Sequence, residues 1–313
     1  MHAFLDSPRL RQIALGLIVL AALAAPHVIY PIFLMKVLCF ALFACAFNLL
    51  LGFGGLLSFG HAAFFGFAGY VAAHMIKVWA WPTELGVLAA ALVAAAMGLV
   101  FGLLAIRRQG IYFAMVTLAL SQMVYFFCVQ APFTGGEDGI QAVPRRPVFG
   151  FIDITSDLTL YYVVLAVFTL GFLVIWRAVH SPFGQVLTAI RENEARAISL
   201  GYQVERYKLL AFVLSAGLSG LAGGMKAVVF QLATLSDVEW QASGEIVLMT
   251  IAGGIGTLTG PVVGAVLIVG MQNYMASLDE WVLIAQGVVL VLVVLLFQKG
   301  VVGTLAAWLG RGR

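Results

Sequence analysis

Charge is what this 313-residue chain has least of: 17 lysines and arginines and 14 acids amount to 10% of it. Soluble domains carry about 25% charged residues. The apolar share is 63%, more than a soluble chain of this length can hide in an interior. That excludes a soluble enzyme, a disordered chain and a collagen-like chain. Cysteine is scarce too. Cys39, Cys45 and Cys128 all fall in apolar runs, too few for two bridges, so no disulfide framework is written here. Phosphate-binding G-x-x-x-x-G-K-[ST], HExxH, GxSxG and Cys/His ligand clusters are all missing. No catalytic residue, cofactor or metal ligand is therefore expected. The net charge of +3 gives no sign of a nucleic-acid partner and is read instead by side of a membrane.

What is present is apolar length. Eight charge-free stretches run 17 residues or more: 12–35, 37–76, 85–106, 109–136, 158–176, 209–225, 246–278 and 281–298. One bilayer span needs about 20 apolar residues, so 37–76 and 246–278 are too long for one. Each carries a glycine-rich break: Gly52 to Gly60 in the first, Gly253 to Gly260-Pro261 in the second. Splitting both yields an all-α polytopic bundle of about ten hydrophobic elements: 10–27, 32–51, 61–79, 85–106, 111–131, 159–177, 208–232, 243–257, 261–277 and 281–298. The element 243–257 is short enough to be a partial span. With the N-terminus inside and strict alternation, 12 lysines and arginines fall on the cytoplasmic side and 5 outside, as the positive-inside rule requires. Both termini are then cytoplasmic. Arg9, Arg11 and Ala22-Leu23-Ala24 imitate a cleavable signal; the length of the run and the even span count favour a retained first span.

Carboxylates, which ion-coupled carriers set near the midplane, are missing from the span cores; Glu245 lies at the outer end of its segment. Lys36 and Lys226 lie in the outer parts of spans and can snorkel outward; Lys226 is also placed to pair with Glu245. The breaks supply the candidate translocation residues: Gly54, Gly55, Ser58, Gly60 and His61 in one, Gly253, Gly254, Gly256, Thr257 and Gly260 in the other. Their similar glycine spacing suggests a parallel internal repeat. Two readings stand for each, close helix packing through small residues or backbone lining a pathway. His61 reads equally as a hydrogen-bonded structural histidine. Asn48, Ser121, Gln122, Gln272 and Asn273 are expected to bond neighbouring helices. Residues 132–158, with Pro132, Gly135, Gly136, Pro144 and Pro147, read as an irregular external loop suited to docking or to a lid.

The internal segment 178–207 differs. Ser181 suits an N-cap, Pro182 the first helical position and Gly201 a left-handed close. Val186, Leu187, Ile190, Ala197 and Ile198 recur at helical spacing, with Arg191, Glu192, Glu194 and Arg196 over the rest of the surface. This predicts a short amphipathic helix, which either lies on headgroups or docks a cytoplasmic partner.

Phe183-Gly184, Ala189-Ile190-Arg191-Glu192-Asn193-Glu194, Leu200-Gly201 and Tyr207-Lys208-Leu209-Leu210-Ala211-Phe212 resemble the cytoplasmic loop of the LivM-type permeases. Those are one of two membrane subunits in branched-chain amino acid ABC importers. Phe47-Asn48-Leu49-Leu50-Leu51-Gly52 through Leu57-Ser58-Phe59-Gly60-His61-Ala62-Ala63-Phe64-Phe65-Gly66 is similar to a second signature of that family. Ala252-Gly253-Gly254-Ile255-Gly256-Thr257 through Gly260-Pro261-Val262-Val263-Gly264-Ala265 is similar to a third. The resemblance implies one permease domain over 1–313 in a bacterial inner membrane. It also implies that Glu194, Ala195, Ala197 and Gly201 belong to the ATPase-coupling helix, although the usual six-residue step from Glu to Gly is seven here. Arg191 and Glu192 flank them. The partners implied are a second homologous permease, two cytoplasmic ATP-binding subunits, a periplasmic or extracellular substrate-binding protein and membrane lipid. Urea, amides or small aromatic acids stand as alternative substrates. An ATPase-independent secondary carrier and a membrane-embedded enzyme are the competing classes; the enzyme would need a constellation of acids, bases or ligands that cannot be assembled from these residues.

Overall fold

The computed structural model describes residues 21–275 and 300–304, with scattered positions between 284 and 295. The elements expected at 10–27 and 281–298 therefore lie largely outside the described residues. Among the described residues, ten helices of six residues or more follow one another: α1 (Pro31–Asn48), α2 (His61–Lys77), α3 (Thr83–Ala105), α4 (Ile111–Gln130), α5 (Asp157–Val179), α6 (Pro182–Glu192), α7 (Glu194–Ser199), α8 (Val204–Phe230), α9 (Trp240–Gly253) and α10 (Gly260–Tyr274). A ribbon of two short antiparallel strands, β1 (Ile140–Gln141) and β2 (Leu232–Ala233), pairs Ile140 with Ala233. Among the described residues, five helices are long and apolar enough to cross a membrane: α1 with its wide final turn (Pro31–Phe53), α3, α4, α5 and α8. The helices α2, α9 and α10, of 17, 14 and 15 residues, are shorter than the usual span.

Two helices form the centre. The apolar windows of α1 and α8 are 78% and 72% buried, against 28–33% for α3, α4 and α5. Apart from Lys36 near its start and Asn48 at its end, α1 is apolar all round, as a helix largely enclosed must be, and Phe40, Phe43 and Phe47 are buried along it. α8 packs through small residues. Gly217, Gly220 and Gly224 face Ala90, Ala94 and Ala95 of α3, and Gly223 meets the Phe65 carbonyl of α2. Spacing of three and four keeps these positions on one face, and the missing side chains let backbones approach. The peripheral helices turn Leu88, Leu92, Leu103, Met123 and Leu170 outward, the side chains that acyl chains would cover.

The helices α1 to α5 and α8 to α10 run alternately between two ends of the bundle. At one end, α6 lies against the wide turn that ends α1 and against α8, and α7 packs on α6 and α8. At the other, the ribbon packs with Tyr70, Tyr161 and Val228. Residues 132–158 form a largely irregular stretch, with two short 3-10 turns and strand β1, that packs onto the bundle. Ile140, Val143, Val148 and Ile154 are buried, and Arg145 bonds Asp157 at 2.7 Å and the Val229 carbonyl at 2.9 Å. A stacked pair, Phe149 and Phe151, stays exposed at the tip.

One charge assignment is corrected. Lys226 does not pair with Glu245; its Nζ lies 2.6 Å from Asp237 Oδ1. The segment between β2 and α9 folds back beside α8 and brings Asp237 to it, a return that no helical periodicity signals.

Candidate functional site

The site is built where α1 stops. After Asn48 the backbone widens into a π-turn, Leu49–Phe53, a form common at functional positions. The chain then reverses at Gly55, with φ of +69°, where a side chain is strained. The wide turn leaves the Gly52 carbonyl free of the helix ladder. The second glycine segment arrives beside it. α9 ends at Gly253, Gly254 takes φ of +124° and Gly256 +74°, and α10 starts at Gly260. Asn48 joins the two. Its Nδ2 donates to the Thr257 carbonyl at 2.9 Å, and its Oδ1 accepts from the Gly256 N–H at 3.0 Å. A side-chain amide satisfies one donor and one acceptor at once, so the turn 254–257 is held as though by a strand partner.

Arg191 completes the junction from outside. It stands on α6, its guanidinium donates to the Gly52 carbonyl, and its Cγ covers Gly55 so closely that a Cβ there would lie 2.7 Å away. The same guanidinium borders Gly256. One side chain of the amphipathic segment thus touches both glycine segments. Leu187, one turn earlier on α6 and fully buried, rests against Gly54.

The segment 181–201 is two helices, not one. Asn193 sits in extended backbone between α6 and α7, and its Oδ1 accepts from the Arg196 N–H at 2.9 Å. Asn competes well for a cap, which divides the expected helix. Ser181 holds the N-cap position of α6, but its hydroxyl donates back to the Ala178 carbonyl. Gly201, φ +87°, closes α7 with paired bonds, Gly201 N–H to Ile198 O and Tyr202 N–H to Ala197 O, the Schellman arrangement. The apolar stripe turns inward. Ile190, Ala197 and Val204 cluster with Val186 and Tyr207, and Phe183 stacks on Tyr207. Glu194 faces inward as well, 2.8 Å from buried Lys208 of α8.

Ile198 departs from its expected place in that stripe. It is 58% exposed, and Leu200 at 68% and Tyr202 at 41% are exposed close to it. Glu192, Ala195 and Arg196 are exposed around them. The periodic pattern could not reveal this patch, because Asn193 changes the phase of the helix and Leu200 lies in the closing turn.

Most of the remaining candidates lie inside the fold. Ser58, Gly60 and His61 are buried. Ser58 Oγ accepts from the Gly60 N–H, and Gly60 abuts the Thr117 carbonyl of α4. Ser215 Oγ donates to the Ala46 carbonyl at 2.6 Å, so it accepts from His61 Nε2–H at 2.9 Å. Phe47, Phe64 and Phe212 contact the imidazole edge-on. Gly253 and Gly264 let α9 and α10 cross backbone to backbone at Gly260 and Met249. Thr257 Oγ1 donates to Gly254 O and accepts from Gly260 N–H. Gly55 is exposed, and Gly256 and Thr257 are half-buried.

The family described as branched-chain amino acid transport system / permease component matches residues 30–296. High-affinity branched-chain amino acid transport system permease protein LivM of Salmonella typhimurium is 29% identical over 67% of this chain and 55% of its own length. LivM of Escherichia coli is 28% identical over the same shares. The chain thus spans about half the length of these curated relatives. The ribose import permease protein RbsC of Bacillus subtilis is 32% identical over 42% of this chain and 43% of its own. No solved structure matches.

Proposed function

Because the chain belongs to the branched-chain amino acid transport system / permease component family, we propose that it is the membrane-spanning permease subunit of a bacterial ABC importer. Its single domain would sit in the inner membrane with both termini and residues 178–207 in the cytoplasm. Its partners would be a second homologous permease, two ATP-binding subunits and an external substrate-binding protein. The substrate we favour is a branched-chain amino acid, since the LivM relatives align over 67% of the chain and the ribose permease over 42%. The ribose permease nevertheless gives a neutral sugar a specific second claim.

The observation that carries this reading is Arg191. An ATP-driven importer must transmit movement from a docked ATPase to the helices enclosing the pathway. α6 and α7 are short, outside the bundle, and tied to it by Arg191, Leu187 and the Glu194–Lys208 pair. Ile198, Leu200 and Tyr202 offer an apolar knob beside Glu192 and Arg196, the chemistry of a groove-docking helix. A shift of this segment would pull on Gly52 O and reach both glycine turns. Those turns, Gly54 to His61 and Gly253 to Gly260, are then the hinges that open and close the inner end of the route.

Purification tests the assignment. Two ATP-binding subunits should co-purify with the tagged chain from bacterial membranes. Leu200→Asp together with Ile198→Asp should release them while the second permease stays bound. Retention of both ATPases by that double variant would contradict the docking surface.

A further inference from the structure

At the ribbon end, α1, α2, α8, α9 and α10 border a cleft of about 350 Å³, with Lys36, Phe40, Phe65, Gln241, Glu245 and Gln272 among its walls. None of the glycine-segment candidates lines it. Small-molecule sites begin at about this size. Its charges divide into two sets. Lys226 and Asp237 neutralise each other, Lys226 Nζ lying 2.6 Å from Oδ1, and Thr234 Oγ1 adds a bond to the same carboxylate at 3.2 Å. Lys36 and Glu245 have no ion-pair partner within 4.0 Å among the described residues, though both are half-buried on the cleft wall. Glu239 adds a second acid to the lining. Beside them lie Phe40 and Phe65, their ring centroids 5.6 Å apart.

Opposite charges withdrawn from water and left unpaired are costly. A ligand that brings a carboxylate and an ammonium together removes both costs. We propose that this cleft is a binding station for a free α-amino acid with an apolar side chain. Lys36 receives the α-carboxylate, Glu245 the α-ammonium, and Phe40 and Phe65 the side chain. Gln272 lies beside Glu245 on the cleft wall and supplies amide hydrogen bonds. A sugar, with neither charge, leaves Lys36 and Glu245 unpaired and is rejected for the reason that any site with unanswered polar groups rejects an analogue. α9 carries Glu245 eight residues before Gly253, about 12 Å along the helix, so the station and the glycine turns share one rigid element. This inference rests on the importer reading and adds substrate recognition within the permease itself.

The test uses the assembled complex in lipid nanodiscs without its binding protein. Gln241 is exposed on the cleft wall, and the native cysteines are buried, so Gln241→Cys reports the cleft alone. Its rate of modification by a charged methanethiosulfonate reagent is measured with L-leucine, 4-methylpentanoate or L-arabinose at millimolar concentration. L-Leucine should slow labelling several-fold, and the other two should not. Lys36→Gln and Glu245→Gln should abolish the protection, while Lys36→Arg and Glu245→Asp retain it and show that the fold survives. Unprotected labelling in a complex that takes up radiolabelled L-leucine with its binding protein would overturn the station and leave the importer reading intact. A complex that takes up no L-leucine would overturn the assigned substrate and the station with it.

Discussion

At the residue scale, Asn48 and Arg191 do what the glycines beside them cannot. Glycine supplies conformational freedom and no side-chain bond, so the turns at 52–60 and 253–260 need outside groups to fix them. Asn48 fixes the second from within the membrane region, through Thr257 O and Gly256 N–H. Each buried backbone group left unpaired costs about 1–3 kcal/mol. Asn48→Leu should therefore lower the thermal stability of the detergent-solubilised complex, with Asn48→Asp losing less because its carboxylate still accepts from Gly256. Differential scanning fluorimetry on both variants measures this; equal, unchanged midpoints would contradict the clamp. The sequence marks Asn48 as a buried amide in an apolar run, and that much was legible. Its partners, about 209 residues away, carry no periodic signature. His61 shares that gap: it is visible as a polar group in an apolar stretch, and its bond to Ser215 across α2 and α8 depends on how those helices cross.

At the element scale, the division of 181–201 into α6 and α7 matters most. A continuous helix would have aimed Ile198 along the Leu187–Ile190 face. The Asn193 cap redirects it outward with Leu200. Glu194 and Lys208 then lock α7 to α8 at 2.8 Å, with Lys208 nearly inaccessible. Removing one member of such a pair strands the other. For fully buried pairs the cost is about 3–5 kcal/mol, and the partial exposure of Glu194 reduces it. Glu194→Gln should loosen the segment, seen as faster limited proteolysis between 181 and 207. Glu194→Gln combined with Lys208→Met should restore much of the resistance, since no charge is then buried alone. Equal cleavage rates for the single and double variants would show that the pair does not anchor the segment. The crossing of α9 and α10 belongs to this scale too. Gly264 meets the Met249 carbonyl so closely that Gly264→Leu must separate the helices. Loss of the assembled complex on size exclusion should follow, whereas Gly270→Ala, on a face with nothing near it, should assemble normally.

For the whole molecule, apolar run length fixed the elements that length can fix. The spans read at 85–106, 111–131 and 159–177 coincide closely with α3, α4 and α5. Charge gave less. Lys226 was placed with Glu245 by sequence, and its partner in space proved to be Asp237, brought back by the segment between β2 and α9. The cleft was illegible for the same reason: Lys36, Glu245 and Gln272 come from three helices separated by long stretches of chain. The topology drawn from 12 positive charges against 5 predicts a labelling pattern. A membrane-impermeant maleimide applied from outside intact cells should reach Glu137→Cys and not Ala195→Cys, both at exposed positions. The reverse pattern would invert the map.

The central claim is that the α6–α7 segment moves the glycine turns through Arg191. It is tested most directly by measuring uptake and ATP hydrolysis together in proteoliposomes containing the complete importer with Arg191→Ala. Losing a charge-assisted bond worth about 1.5–3 kcal/mol at the point of transmission should cut uptake by about tenfold or more. Hydrolysis stimulated by the loaded binding protein should persist, so that the number of substrate molecules moved per ATP collapses. Wild-type uptake and an unchanged ratio in the variant would contradict the account.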